Sequence, residues 1–176
     1  MNRRRLLSAL AGFGLTGGSL VALRSDVFSG TGNRLPTRVE TLDAPGSSPG
    51  KIRVPRTDRP TLVDLFATWC PPCERQMDPL AAVIPEYDDR VAFVSVTNER
   101  IGGTLSRSDI ARWWERHDGR WPVALDPESV LMSTLGAEGL PYLALVDTDG
   151  TVLWAHSGVA TERRLRRGLK TSLADR

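Results

Sequence analysis

The chain's only two cysteines, Cys70 and Cys73, stand where a strand pattern gives way to a helix pattern. Before them, Thr61-Leu62-Val63-Asp64-Leu65-Phe66 is nearly continuous in apolar residues, which suits a central strand buried on both faces. After them, Pro71 and Pro72 suit a first helical turn, where a missing N–H costs nothing. Met77, Leu80, Ala81 and Ile84 then recur at the spacing of one helical face. A buried strand that runs straight into a helix through two thiols leaves few folds open. The thiols themselves can close into a disulfide, hold half of a metal site, or simply pack.

The remaining segments extend the same alternation. Val39 to Leu42 and Lys51 to Val54 flank the turn-forming stretch Asp43 to Gly50, so a β-hairpin is expected ahead of the main body. Val91 to Val96 reads as a second core strand. Ser106 to His117 reads as a helix capped by Ser106 or Ser108, with Ile110, Trp113 and Trp114 turned inward. A short strand over Trp121 to Leu125 and a short helix over Glu128 to Leu135 follow. Pro141 opens a core strand that ends at Val146, and Asp147-Thr148-Asp149-Gly150 signals a hairpin into Thr151 to Trp154. Leu165, Leu169 and Leu173 form one stripe of a last helix, whose arginines are read as its solvated face. Strands alternating with helices indicate an α/β sheet covered on both faces.

With 176 residues, 40% hydrophobic and 25% charged, and no repeat, the chain suits one domain with a substantial core plus a leader. Its net charge of +2 is set at the start, where Arg3, Arg4, Arg5 and Arg24 against Asp26 leave everything beyond residue 33 at −1. Such a near-neutral body lacks the basic stripe of a nucleic-acid binder, so no nucleic-acid partner is expected. Arg3-Arg4-Arg5 precedes an uncharged run from Leu6 to Leu23 that is diluted by Gly12, Gly14, Gly17 and Gly18. This order resembles a twin-arginine export leader, with Asn2 standing where such leaders carry Ser or Thr. The run, about 18 residues long, also has the length to span a bilayer. Residues 1–23 are therefore expected to be an export signal or anchor, 24–36 a linker, and 37–176 the folded domain, located outside the cytoplasm.

In disulfide exchange the nucleophile is a thiolate. Unpaired N–H groups and the dipole at a helix start stabilise negative charge, so Cys70 is expected to be exposed and easily ionised. Cys73 lies four residues before Met77 and is expected to be covered. In the resulting cycle Cys70 attacks a target disulfide, and Cys73 resolves the mixed disulfide. Cys73 then needs a shielded proton acceptor. Asp64, on the strand that leads into the pair, is the candidate, because burial raises a carboxylate's affinity for a proton. The plainer reading of Asp64 is an ion-pair partner or an edge residue.

Val63-Asp64-Leu65-Phe66-Ala67-Thr68-Trp69-Cys70-Pro71-Pro72-Cys73, with Leu140-Pro141 and the Asp149-Gly150 turn, resembles the thioredoxin superfamily. The added hairpin, the leader and the segment between the second core strand and Pro141 resemble its TlpA/ResA/DsbE-like branch. The likeness runs from about Val39 to Leu173. It implies an α/β thioredoxin-like fold: a central mixed sheet, helices on both faces, and an added N-terminal β-hairpin. It also implies a thiol-disulfide oxidoreductase in which Cys70 and Cys73 form a redox-active disulfide, Cys70 as nucleophile and Cys73 as resolving thiol. Trp69 becomes an aromatic flank. Leu140 and Pro141 become substrate-facing, with Pro141 cis, offering backbone to a peptide and keeping metals from the thiols. Asp64 matches the buried aspartate of thioredoxin, whereas many exported relatives are not acidic there. The resemblance implies no cofactor and a monomer whose partners are protein thiols and disulfides and a membrane electron donor. It favours a reductant, such as those serving cytochrome c maturation. Two positions depart from the pattern. Gln76 stands where exported relatives often carry glutamate, with Glu74 the neighbouring acid, and Pro79 falls one residue later than the family's helix proline.

Other chemistries fit less well. A zinc site needs four ligands and would have to recruit both His117 and His156, and His117 reads as a solvated helix-end residue. An exported copper chaperone could use Cys70, Cys73 and His156, although such proteins space their cysteines more widely. A peroxidase needs Pro and Ser or Thr upstream of its cysteine, and neither cysteine has them. A purely structural bridge across two residues closes too small a loop to gain much entropy.

Overall fold

Seven strands form one sheet in the order β2-β1-β5-β4-β3-β6-β7 in a computed structural model that describes residues 35–174. The leader 1–23 and most of the linker 24–36 lie outside the described residues. In chain order the strands are β1 (Thr37–Thr41), β2 (Gly50–Val54), β3 (Thr61–Phe66), β4 (Ala92–Thr97), β5 (Val123–Leu125), β6 (Tyr142–Val146) and β7 (Val152–Ser157). The helices are α1 (Pro71–Val83), α2 (Arg107–Arg116), α3 (Val130–Thr134) and α4 (Glu162–Ala174). β3, β4 and β5 run parallel, while β6, β7 and the hairpin are antiparallel to their neighbours. The sheet is therefore mixed, as expected.

All six residues of β3 are buried, and their alternation divides the core. Leu62 and Phe66 pack with Phe93, Leu143 and Leu145 beneath Met77 and Leu80 of α1, Ile110, Trp113 and Trp114 of α2, and Leu165 and Leu169 of α4. Val63 and Leu65 join Val94, Val96, Ala144 and Val146 on the opposite face, under Leu131 of α3 and Val39 and Val54 of the hairpin. Phe66 stacks on Trp113 with ring centroids 5.1 Å apart. Alternation with a period of two assigns Asp64 to the face that α1 covers.

Local chemistry explains the element ends. Ser106 caps α2, its hydroxyl accepting from the Asp109 N–H while the Asp109 carboxylate accepts from the Ser106 N–H. α1 starts at Pro71-Pro72 and continues through Pro79 to Val83. His117, read from sequence as solvated, is half-buried at the end of α2, with its ring 4.4 Å from that of Trp113.

The hairpin belongs to the sheet. β1 pairs with β5 through Glu40 opposite Leu125 and Thr41 opposite Ala124. Gly46 in its turn has φ +73° and runs against the backbone of Arg120, where a Cβ would fall 2.0 Å from the carbonyl carbon. Gly46→Ala should therefore destabilise the protein by at least about 2 kcal/mol, through both backbone conformation and overlap. A denaturant midpoint equal to that of the wild type would refute this packing.

Candidate active site

The cysteines meet at the C-terminal end of the parallel strands, where open α/β sheets place their binding sites. β3 ends at Phe66, and four residues later Cys70 is the N-cap of α1. Cys70 and Cys73 are joined as a disulfide with a Cα–Cα distance of 5.2 Å. The backbone N–H of Cys73 points at the Cys70 sulfur, 3.3 Å away. A sulfur held there faces the unpaired N–H end of the helix, where negative charge is favoured.

Exposure corrects one expectation. Cys70 is only 4% exposed, close to the 1% of Cys73. The helix mouth is covered at Cys70, and the surface there belongs to Trp69, which is 70% exposed. Leu140 and Pro141 lie across the same end of the sheet. Leu65 pairs with Tyr142, so Pro141 stands level with Phe66. The Leu140–Pro141 bond is cis.

Asp64 lies beneath this end, directly opposite Ser95 of β4. Its Oδ2 accepts the Ser95 hydroxyl at 2.6 Å, and Ser95 Oγ accepts the Trp121 indole N–H at 2.9 Å. An indole can only donate, so the hydroxyl proton of Ser95 is directed to Asp64. Oδ1 of Asp64 is buried with no hydrogen-bond partner, which makes it the oxygen that takes up a proton. Burial pushes the Asp64 carboxyl up to about 7, and the Ser95 bond opposes that rise only in part.

Sequence reasoning missed several neighbours. Glu99 accepts from the Thr68 N–H at 2.8 Å, the Thr68 hydroxyl at 2.7 Å and the Thr97 hydroxyl at 2.9 Å. It thereby ties the residue two places before Cys70 to the end of β4. The only hint in the sequence is an acid just past a core strand. Ser95 had a clearer signal, a hydroxyl inside an apolar strand at the parity of Phe93. Gly158 donates its N–H to the Pro141 carbonyl at 2.9 Å. Among the described residues, no group of three or more His, Cys, Asp or Glu side chains is placed to hold a metal ion, so His156 is not gathered with the cysteines. Its Nε2 lies 3.4 Å from the Val159 carbonyl instead.

The Redoxin family model matches residues 31–173. This chain belongs to the Redoxin family. It is 30% identical over 110 residues to the thiol-disulfide oxidoreductase ResA of Bacillus cereus, covering 61% of this chain and 60% of that protein. It is 26% identical over 127 residues to the thiol:disulfide interchange protein DsbE of Yersinia pestis, covering 72% and 63%. Its match thus spans about three-fifths of the length of these curated relatives. The crystal structure of StoA from Bacillus subtilis superposes with a TM-score of 0.62 at 18% identity, over 77% of this chain and 98% of that one. The architecture is thus a thioredoxin-like fold of the kind found in StoA. Among the described residues, no helix is long and apolar enough to cross a membrane.

Asp64 makes stability depend on pH. Its proton affinity is higher folded than unfolded, so the folded chain holds a proton that the unfolded chain has released. The associated stabilisation is full at low pH and declines between about pH 4 and pH 7, by on the order of 4 kcal/mol. Asp64→Asn should flatten this slope and be the more stable protein at about pH 8, as read by denaturant unfolding across pH. Equal slopes in the two proteins would rule out titration of a buried Asp64.

Proposed function

We propose that this protein is a thiol-disulfide oxidoreductase acting on protein thiols and disulfides outside the cytoplasm, with Cys70 as nucleophile and Cys73 as resolving thiol. The observation that carries this reading is the Cys70–Cys73 disulfide across the first turn of α1, its N-cap sulfur receiving the Cys73 N–H.

In the reducing direction the Cys70 thiolate attacks one sulfur of a target disulfide. That bond breaks, a mixed disulfide forms, and one target thiolate leaves. Cys73 gives up its proton and attacks the Cys70 sulfur, releasing the second target thiolate and closing the bridge. The target gains two electrons and the Cys70–Cys73 pair loses them. Asp64, buried on the sheet face that α1 covers and with Oδ1 unpaired, serves as the proton acceptor for the resolving step. Trp69 offers an exposed apolar flank, and the half-buried Leu140 backbone, set by the cis bond to a buried Pro141 whose carbonyl is taken by Gly158, is the docking edge for the substrate chain.

The leader supports export, and the likeness to ResA and DsbE supports a reductant, with cytochrome c maturation as its setting and a membrane donor to return the electrons. Cys70→Ser should abolish disulfide reduction, while reduced Cys73→Ser should accumulate mixed disulfides visible on non-reducing gels. Equilibration in thiol/disulfide buffers should give a potential near that of thioredoxin, about −270 mV. A value near the strongest oxidases, about −120 mV, would reverse the assigned direction. Full reduction activity in Cys70→Ser would remove the reading altogether.

A further inference from the structure

Three residues beyond Cys73, Gln76 is 1% exposed on the inner side of α1. Its side-chain oxygen accepts the Ala160 N–H at 2.6 Å, and its side-chain nitrogen donates to the Ala160 carbonyl at 3.3 Å. One amide thus pairs both backbone groups of one residue, as a neighbouring strand would. Ala160 is fully buried in the connection between β7 and α4. Two residues earlier Gly158 donates to the Pro141 carbonyl, and Val159 between the two anchors is exposed. A continuous path therefore joins the helix that carries Cys73 to the loop that carries Pro141.

We infer that Gln76 is a positioning residue for disulfide exchange, acting through Ala160 and Gly158 to hold exposed Val159, against the buried Pro141, as the surface on which a protein substrate rests. The inference deepens the exchange reading above and rests on it. An amide suits this task because it donates and accepts at every pH. A carboxylate can donate to the Ala160 carbonyl only while protonated, and its ionised form would set a buried negative charge against that oxygen. The chain thus divides two duties: Asp64 handles the proton, and Gln76 holds the loop.

Gln76→Glu and Gln76→Ala in the full-length protein separate these roles. Each is assayed in single turnover from its reduced form, the limiting rate standing for kcat and the half-saturating concentration for KM, with glutathione disulfide as a small probe and insulin as a protein disulfide. Gln76→Glu should match the wild type at about pH 5, where burial at this position keeps the carboxyl protonated and able to donate, and show about a tenfold higher KM for insulin at about pH 8. Its kcat and its rate with glutathione disulfide should stay within about twofold of wild type at both pH values. Gln76→Ala should raise the KM for insulin at both. The titrating and charged groups around this path are His156 of β7, Glu162 and Arg166 of α4, with Arg166 bridging Glu162 and Glu86, Glu74 and Arg75 of α1, and Asp64 and the cysteines in the core. Taking the ratio to wild type at each pH cancels their own titration. Gln76→Glu at low pH keeps both bonds, so it remains informative if Gln76→Ala fails to fold. A variant that tracks the wild type at every pH, or loses rate equally against both probes, overturns this inference alone. A wild type inactive towards both probes overturns the exchange reading and this inference together.

Discussion

A carboxylate inside a strand that is buried on both faces is the constraint around which this molecule is arranged. Asp64 sits between Ser95 and Leu143 with the helical layer above it, and water does not offset its charge there. A leucine would fill that position at no electrostatic cost, so the fold sacrifices stability to keep an acid. The Trp121–Ser95–Asp64 chain of bonds satisfies one oxygen and leaves the other bare. The bare oxygen is the one the proposed exchange cycle uses as its proton acceptor.

Much of this was legible in the chain. The run Thr61 to Phe66, the prolines after Cys70 and the stripe Leu165, Leu169 and Leu173 obey local periodicity, so strand, helix start and final helix follow from spacing. Asp64 breaks the pattern of its apolar run and is legible for that reason; Pro141 opens a strand, where proline is ordinary, and only the resemblance to the thioredoxin superfamily marks it. The burial of Cys70 is not legible in the chain, because helical spacing orders residues within a helix and does not say what covers its N-cap.

What stayed hidden depends on side chains meeting backbone far away in sequence. Glu99 reaches Thr68 across 31 residues, and Gln76 reaches Ala160 across 84. Neither partner carries a composition signal, since any residue supplies an N–H and a carbonyl. Such bonds are set by how the layers pack, and they fasten the ends of loops that the sheet alone would leave loose.

The hairpin carries a consequence for how copies of this protein behave in a crowd. β5 has only three residues and would be a short, open rim of the sheet; β1 covers it, and β2 becomes the outer strand instead. That strand reads Gly50-Lys51-Ile52-Arg53-Val54, bracketed by Pro49 and Pro55. Like charges would face each other if two copies aligned there, and the prolines withhold N–H groups from any added strand. The rim is thus a poor template for edge-to-edge aggregation.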